Sequence, residues 1–358
     1  MRGEDRKQRG ILRGYLFEIA VLELLRKNGF TAFQPDRSSP DYDVLFKEER
    51  SGFVELRGRG CWHQIDCPCD YNRIMPFSYP IRILGEVKYH RKPISKQYIR
   101  EYIGVLKDIQ ENWVVSANTA SSALRPRIME IGVFFSASGF DESAEQLAYA
   151  HGIKTISYAN NQFIKDIKSA IDDLKENHLS INCLETWSEF RQSLIDYLRG
   201  MDYLNSVYSF LHGTTPSLSR YINNPLDSLR TGLDSIKTTF FATTASGVVL
   251  QLFGKQSIPS QIFKNTDYAR CKVYFEEKRN KRFYWIEFSE DDSYSPARFY
   301  FTPPESLDRA ATLGGHLVLS EKQRIFNQLS VNIALDGISR NIIIQLDNDW
   351  FEARQKER

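Results

Sequence analysis

The 358-residue chain has no apolar run approaching about 18 residues, almost no net charge, and neither an internal repeat nor a low-complexity tract. Without a long apolar run, no membrane-spanning helix is expected. A formal net charge of +2 gives the molecule as a whole no electrostatic attraction for nucleic acid. With 42% hydrophobic and 13% aromatic residues, the chain can nevertheless bury a sizeable core.

The N-terminal segment also lacks the features of a secretory signal. Residues 1–10 are charged, and the first apolar stretch contains Glu18 and Glu23, which the apolar core of a signal peptide does not tolerate. We therefore expect a cytoplasmic protein. Its five cysteines, an odd number, then give no indication of a disulfide framework.

Three of the five cysteines cluster around one histidine. Cys61, His63, Cys67 and Cys69 offer four candidate zinc ligands within nine residues. So close a spacing would force a very tight loop and lacks the usual pair of separated knuckles. Reduced, partly buried cysteines are therefore the preferred interpretation, and a zinc site is the alternative.

The residues that carry chemistry are an aspartate and, twenty positions later, a Glu-x-Lys. Asp66 ends the run 60–66, and Glu86, Val87 and Lys88 lie in the segment 80–90, where apolar residues alternate as in a strand. Glu86 and Lys88 then share a face. Mg²⁺ is usually held by one or two carboxylates together with water and substrate phosphate. A neighbouring lysine can orient the attacking water or offset charge on the phosphorane, so the pattern suits metal-assisted phosphodiester hydrolysis.

The elements around this pair follow a definite order. Residues 14–30 predict a first helix with a broad apolar stripe, in which Gly29 suits the C-terminal cap. A second helix is predicted over 95–112, a short buried strand over 131–136, and a helix within 138–153 that stops at Gly152.

Together these motifs resemble the PD-(D/E)xK nucleases, and within them the Mrr-like restriction endonucleases, over roughly the first 180 residues. Glu18 lies where that group carries its helix glutamate. The resemblance implies that Glu18, Asp66 and Glu86 bind or position Mg²⁺, for which Mn²⁺ can substitute. It also implies that the carbonyl of Val87 adds a ligand and that Lys88 assists the water. The chain departs from the family where residues 63–65 precede the aspartate in place of a glycine turn.

An earlier pair of strands offers a competing site. Residues 40–46 contain a literal Pro-Asp, and Glu55 and Arg57 follow after a turn. A site with Asp43 and Glu55 as metal ligands would put arginine in the lysine position, where it neutralises charge but cannot act as a base. We prefer to interpret 41–46 as the first strand of the sheet.

Basic residues concentrate around the Glu-x-Lys. Between positions 82 and 107 there are seven lysines and arginines against two acids, Glu86 and Glu101. Such a stripe attracts phosphates, although a solvated helix face has the same composition. The candidate nucleic-acid-binding residues are Arg91, Lys92, Lys96, Gln97 and Arg100.

The length of the chain favours two domains. We expect an α/β nuclease domain over 1–180, with a restriction-endonuclease-like mixed central sheet flanked by helices. A helical connector over 181–238 and a β-rich α+β domain over 239–358 follow. No family is recognised in the C-terminal part, which we expect to select the target or bind a partner.

The sequence thus predicts a Mg²⁺-dependent endonuclease acting on double-stranded DNA in restriction or anti-phage defence. The defence setting follows from the family resemblance alone. The same core would serve a repair or junction-resolving nuclease or an RNA nuclease, and a catalytically inert nucleic-acid-binding or assembly module is the alternative of another class. A homo-oligomer and a defence-system partner protein are both compatible with the sequence.

Overall fold

The structure is a computed structural model that describes most of the chain. The described residues are 2–49, 53–71, 78–112, 128–174, 187–201, 207, 210, 225–256, 267–278, 281–288, 297–305, 307–309, 315–335 and 338–356. They form a mixed α/β protein with several sheets, one of which closes into a barrel. The expectation of an α/β fold followed by a β-rich C-terminal region is confirmed at this level.

Helices and strands are numbered here in chain order. The N-terminal elements are α1 (Arg2–Arg26), β1 (Phe30–Ala32), β2 (Phe46–Glu48), β3 (Val54–Arg57), β4 (Trp62–Ile65), β5 (Cys67–Tyr71), β6 (Ile81–Lys88), α2 (Lys96–Gln110), β7 (Met129–Ser136), α3 (Glu142–Ala150), β8 (Lys154–Ser157), α4 (Gln162–Asp173), α5 (Trp187–Leu198) and α6 (Pro225–Ser235). The C-terminal elements are β9 (Thr238–Thr244), β10 (Val249–Gly254), β11 (Tyr268–Lys278), β12 (Lys281–Phe288), β13 (Arg298–Phe301), α7 (Gly315–Phe326), β14 (Leu329–Leu335), β15 (Ile338–Leu346) and α8 (Asn348–Lys356).

The chain divides into two compact units that are each discontinuous in sequence. The first comprises Met1–Tyr89, Gln97–Phe135 and Asp166–Leu233, and the second comprises His90–Lys96, Ser136–Lys165 and Asp234–Arg358. The domain boundaries near residues 180 and 239 were inferred from sequence composition, and they stay a prediction.

Two groups of strands build the first unit. Strands β1, β5, β6 and β7 lie side by side in that order, and β5 is antiparallel to both β1 and β6. Strands β2, β3 and β4 form a separate antiparallel sheet of three. Helix α1 packs on β1, β5 and β6 through its apolar stripe, which is almost fully buried between Leu16 and Leu25.

The first helix is longer than predicted at its N-terminus and ends as predicted. It begins at Arg2 and ends at Arg26, and Gly29 follows with φ +84°. This left-handed conformation is one that glycine adopts without steric cost, so Gly29 turns the chain from α1 into β1.

A closed barrel of seven strands dominates the second unit. Its order is β10-β13-β12-β11-β15-β14-β9, and the antiparallel pair β9–β10 closes it. The β11–β15 pair is parallel, and the pairs with an assigned register are otherwise antiparallel. Apolar side chains fill the interior, and Ile325 and Phe326 of α7 and Phe351 of α8 join the same core. Closure leaves these strands without an exposed hydrogen-bonding edge.

Several local predictions need correction. Residues 41–45 form turns rather than a strand, and the first strand of that region starts only at Phe46, in the separate three-stranded sheet. Strands β9 and β14 were not predicted. Strands β11 and β12 form a hairpin with a continuous antiparallel register. Much of the predicted connector over 181–238 lies outside the described residues.

Among the described residues, no helix combines the length and the apolar character needed to cross a membrane.

Candidate active site

Asp66 lies at the single bend between two strands of different sheets. Strand β4 ends at Ile65 and pairs with β3, whereas β5 begins at Cys67 and pairs with β6. The register places Cys67 opposite Gly85, so one further step of the same antiparallel register puts Asp66 opposite Glu86. The change of sheet therefore brings the aspartate to the Glu-x-Lys strand.

Gly85 permits the close approach of these two strands. A Cβ at this position would lie 2.8 Å from the Cβ of Cys67 and 2.8 Å from its carbonyl oxygen. Real Cβ atoms do not approach other atoms this closely, so only glycine allows the observed pairing.

The carboxylate of Asp66 is held by the neighbouring strand. Its Oδ2 accepts a hydrogen bond of 2.9 Å from the backbone N–H of Val87 and one of 3.3 Å from Lys88 Nζ. Lys88 also forms an ion pair with Glu86. Lys88, Glu86 and Asp66 are only 27%, 21% and 12% exposed at their side chains. The three residues predicted as the catalytic core therefore converge in a partly buried cluster.

Glu18 joins this cluster from α1. Glu18 is only 7% exposed. Its backbone carbonyl accepts a hydrogen bond from the thiol of Cys67. Burial raises the pKa of Glu18 well above its usual range, and the charge of Asp66 raises it further, while Arg191 and Lys88 act in the opposite direction. The structure thus places the predicted helix glutamate among the other acids.

A second buried glutamate of the same helix shows a different environment. Glu23 pairs with Arg26 at 2.7 Å and with Arg199 at 2.7 Å. Two arginines therefore compensate the charge of Glu23, whereas Glu18 has carboxylates among its charged neighbours. Of these two buried glutamates, Glu23 is therefore held by ion pairs, whereas Glu18 lies near other carboxylates.

The close packing of charged groups also shifts the pKa values of Glu86 and Lys88 on β6. Burial and the neighbouring Asp66 raise the pKa of Glu86 to about 7, although Lys88 counteracts the rise. Burial lowers the pKa of Lys88, but the charges of Asp66 and Glu86 outweigh burial and the net shift is upward. Lys88 accordingly remains a cation at neutral pH.

Two further residues contribute to this environment and were missed in the sequence. Arg191 of α5 lowers the pKa of Glu18. Tyr15 has its pKa raised by burial and by the charges of Glu18 and Asp66. Arg191 falls within the predicted connector and belongs to no motif, so only the fold brings it to the acids. Tyr15 lies three residues before Glu18, but helical spacing alone does not distinguish it from a core aromatic.

The donor set fits a hard divalent cation. Glu18, Asp66 and Glu86 offer oxygen atoms only, which is the ligand type that Mg²⁺ requires. Burial, together with the charge of Asp66, raises the pKa values of Glu18 and Glu86 even though Lys88 acts in the opposite direction. A bound cation would favour the ionised form of both carboxylates. Val87 is buried, and its N–H donates to Asp66; its carbonyl stays a predicted ligand.

The five candidate nucleic-acid-binding residues are at the surface. Arg91, Lys92, Lys96, Gln97 and Arg100 are all exposed. Gln97 donates to Glu101 at 3.1 Å along α2. Another member of the basic stripe, Arg82, is only 9% exposed and pairs with Asp70 at 2.6 Å, so it serves the sheet instead.

The residues of the competing site, Asp43, Glu55 and Arg57, do not form a comparable cluster in the described part of the chain. Glu55 pairs across β2 and β3 with Lys47 at 2.6 Å. The guanidinium of Arg57 lies over the ring of Trp62, 5.4 Å from its centroid. Asp43 is exposed in a turn with φ +60°. These contacts are those of a structural three-stranded sheet.

The four residues of the alternative zinc set, Cys61, His63, Cys67 and Cys69, are not assembled as one cluster. Cys67 and Cys69 are buried on β5, and burial raises the pKa of the Cys67 thiol well above its usual range and that of Cys69 to about 12. Buried thiols with raised pKa values behave as small apolar side chains. Cys61 is exposed.

No family model and no curated protein matches the chain. Among solved structures, it is similar to the crystal structure of a protein of unknown function, AF1548, with 14% sequence identity and a TM-score of 0.35. The similarity covers 61% of this chain and 98% of that chain. At this level it carries no argument about fold or activity.

Proposed function

We propose that the chain is a metal-dependent endonuclease of the PD-(D/E)xK type, with a restriction-endonuclease-like N-terminal fold, that hydrolyses phosphodiester bonds of DNA. The observation that carries the proposal is the position of Lys88, whose ammonium contacts both Asp66 and Glu86. Glu18, a third and buried carboxylic acid, lies beside this pair. Metal-dependent phosphodiester hydrolysis uses this combination.

Each residue then has a distinct role. Asp66 and Glu86 would hold the cation, and Glu18, ionised in the presence of the cation, would offer a third carboxylate from α1. When bound, Mg²⁺ lowers the pKa of a coordinated water and polarises the scissile phosphate. The Val87 N–H fixes the orientation of Asp66 by its 2.9 Å hydrogen bond, so the ligand is preorganised.

Lys88 acts as a cation rather than as a general base. Its pKa is raised by the two carboxylates, and a protonated amine cannot accept a proton from water. Its positive charge can orient the attacking water and offset negative charge as the phosphorane forms. Loss of this charge should therefore affect turnover more than binding.

The preference for DNA and the setting of restriction or anti-phage defence derive from the family resemblance. Exposed basic residues support phosphate binding in general terms. These residues are equally compatible with RNA binding, so the experiment compares DNA and RNA as substrates.

The decisive experiment compares the purified full-length protein with Asp66→Asn on supercoiled plasmid, linear phage DNA and RNA. Mg²⁺ or Mn²⁺ should support cutting by the wild type, Ca²⁺ should allow binding with little turnover, and EDTA should abolish cutting. Asp66→Asn should be inactive. Asp43→Asn is the matched control, because asparagine tolerates the left-handed conformation at Asp43.

The outcomes separate the alternatives. Cutting that persists in excess EDTA would contradict a metal-dependent mechanism. Loss of activity in Asp43→Asn with retention in Asp66→Asn would move the site to the three-stranded sheet. Cleavage of RNA alone would identify a ribonuclease, and binding without cleavage under every condition would identify an inert module. Preference for branched or damaged DNA would identify a repair nuclease.

A further inference from the structure

A second cluster of potential metal ligands lies at the surface of the first unit, apart from the three carboxylates. It consists of Cys61 just before β4, His63 within β4 and Asp108 near the end of α2. His63 Nε2 lies 2.8 Å from Asp108 Oδ2, and Cys61 Sγ lies 3.4 Å from His63 Nε2 and 3.9 Å from Asp108 Oδ2. Sulfur, nitrogen and oxygen donors therefore converge from two separate elements.

The loop before β4 is built around the carboxylate of Asp108. Its Oδ1 accepts from the N–H of Gly60 at 2.9 Å, and its Oδ2 accepts from the N–H of Cys61 at 3.3 Å. A Cβ at Gly58 would lie 2.0 Å from Oδ2, so glycine is needed to wrap the loop this closely. These contacts fix Asp108 and Cys61 relative to each other before any ion binds, which preorganises the donors.

The donor separations are close to those of a tetrahedral zinc site. Zinc bonds of about 2.3 Å to sulfur and about 2.0–2.1 Å to nitrogen and oxygen place nitrogen and oxygen about 3.3–3.4 Å apart at tetrahedral angles, and sulfur about 3.5–3.6 Å from either. The two observed separations that involve sulfur, 3.4 and 3.9 Å, lie on either side of the expected value. His63 Nε2 and Asp108 Oδ2 are 2.8 Å apart across their hydrogen bond and must separate by about 0.5 Å to admit the ion. Small side-chain rotations of His63 and Asp108 would make room for the ion.

We propose that Cys61, His63 and Asp108 form a zinc site with three protein ligands and a fourth position open to solvent. A thiolate and an imidazole favour Zn²⁺ over Mg²⁺, which prefers oxygen ligands alone. Cys61 is exposed, so an ion has access and a water molecule or an external ligand can complete the coordination. The site is distinct from the proposed catalytic one in its donors and its metal.

Binding exchanges protons for the ion in a balanced step. The thiol of Cys61 releases one proton on forming the Zn–S bond. His63 Nε2 faces Asp108 Oδ2 across a short hydrogen bond, and the ion takes the place of the proton between them. His63 then binds as the neutral imidazole with its proton on Nδ1, so the displaced proton moves to Nδ1 through solvent if the ring was neutral and is released to solvent if the ring was charged. Zinc would then join the start of β4 to the last part of α2 and stabilise the first unit.

The test measures Zn²⁺ stoichiometry by equilibrium dialysis, on the full-length protein in the Asp66→Asn background so that the proposed catalytic site contributes less. The expected result is one equivalent of Zn²⁺ that is lost in Cys61→Ala and in His63→Ala. Asp108→Asn should weaken affinity by more than about tenfold. Glu111→Gln is the matched control, because Glu111, directly after α2, pairs with Arg59 of the same loop at 2.8 Å and is not a donor.

Two further readouts identify the ligands directly. Co²⁺ should give a thiolate-to-metal charge-transfer band that Cys61→Ser lacks, and Zn²⁺ should protect Cys61 from alkylation, as measured by peptide mass. Unchanged Zn²⁺ binding in Cys61→Ala, or a Co²⁺ spectrum without the thiolate band, would overturn the proposal. Because these measurements do not use cleavage, their failure is separate from failure of the proposed nuclease activity.

Discussion

Lys88 Nζ lies 3.3 Å from Asp66 Oδ2 although the two residues are 22 positions apart, and the backbone N–H next to Lys88 holds the same carboxylate oxygen. The bend at Asp66 makes this contact possible, because the chain leaves one sheet there and enters another. A small irregularity between two strands thus creates the candidate active site.

Lys88→Ala should reduce DNA cleavage by roughly 10²–10³-fold while DNA affinity changes little, because the ammonium acts mainly on charge that develops in the transition state. Single-turnover cleavage and a binding titration in Ca²⁺ measure the two quantities. Arg57→Ala is the control, since it removes a cation that lies over Trp62. Equal losses in both variants would argue against a specific role for Lys88.

Glu18→Gln and Glu23→Gln should shift stability in opposite directions. Glu18 is buried near Asp66 and Glu86, so its neutralisation should stabilise the metal-free protein and weaken stabilisation by Mg²⁺. Glu23→Gln weakens ion pairs with two arginines and should cost roughly 1–3 kcal/mol. Urea unfolding with and without Mg²⁺ gives both values. Destabilisation by Glu18→Gln in the absence of metal would contradict the crowded-carboxylate interpretation.

Gly85→Ala should force β5 and β6 apart and displace Asp66, because the new Cβ would meet Cys67 at 2.8 Å. We expect a loss of roughly 1–3 kcal/mol in unfolding free energy together with loss of cleavage. Gly104→Ala is the contrasting control: nothing lies within 4 Å of a Cβ there, and helix propensity predicts a gain of up to about 1 kcal/mol. Normal stability of Gly85→Ala would show that the strands can separate without cost.

Glu145→Gln should stabilise the protein more at high than at low pH. Burial raises the pKa of Glu145 to about 7. The backbone N–H of Glu305, which donates a hydrogen bond to the Glu145 carboxylate, has the smaller and opposite effect on this pKa. Because the folded pKa exceeds the unfolded one, the destabilising effect of Glu145 is absent at low pH, grows between about pH 4.5 and 7, and is complete above pH 7.

Unfolding free energies of Glu145→Gln and wild type, measured at about pH 5 and pH 8, test this expectation. The glutamine oxygen can still accept from Glu305. Glu142→Gln is the control on the same helix: Glu142 pairs with Arg309 at 2.6 Å at the surface, so its loss should give no stabilisation that increases with pH. If the stabilisation of Glu145→Gln relative to wild type decreased as the pH rose, the expected direction of the pH dependence would be wrong.

The pair Arg91→Ala and Lys92→Ala should weaken binding of every DNA sequence alike. Each lost phosphate contact should reduce the slope of log affinity against log salt by about 0.9. Lys278→Ala, which removes an exposed lysine paired with Glu276 at 2.9 Å, is the control. Unchanged salt dependence in the double variant would remove both residues from the nucleic-acid interface.

Local patterns in the sequence were enough to locate several helices and strands in the N-terminal half of the chain. The alternation over 80–90 predicts β6, which runs from Ile81 to Lys88. Asp141 accepts from the N–H of Ala144 at 2.7 Å and starts α3 as helix N-terminal chemistry predicts. These features depend on neighbours within a few residues, and sequence spacing records such neighbours directly.

The second unit was harder to predict because its strands pair over long distances. Strand β9 pairs with β14 as well as with β10, and β11 pairs in parallel with β15. Short apolar segments such as Thr238–Thr244 do not reveal their partners, so β-type composition indicated strands without indicating a closed barrel.

By itself, the sequence determined the candidate catalytic residues as types at given spacings: an aspartate, a Glu-x-Lys and a helix glutamate. Only the tertiary structure decided that Asp66, Glu86 and Lys88 touch, and that Arg191 and Tyr15 surround Glu18. It also decided that Asp108, and neither Cys67 nor Cys69, lies beside Cys61 and His63. The reason is physical: electrostatic interactions and metal coordination depend on distances of a few ångströms, and the folding of separate elements sets those distances.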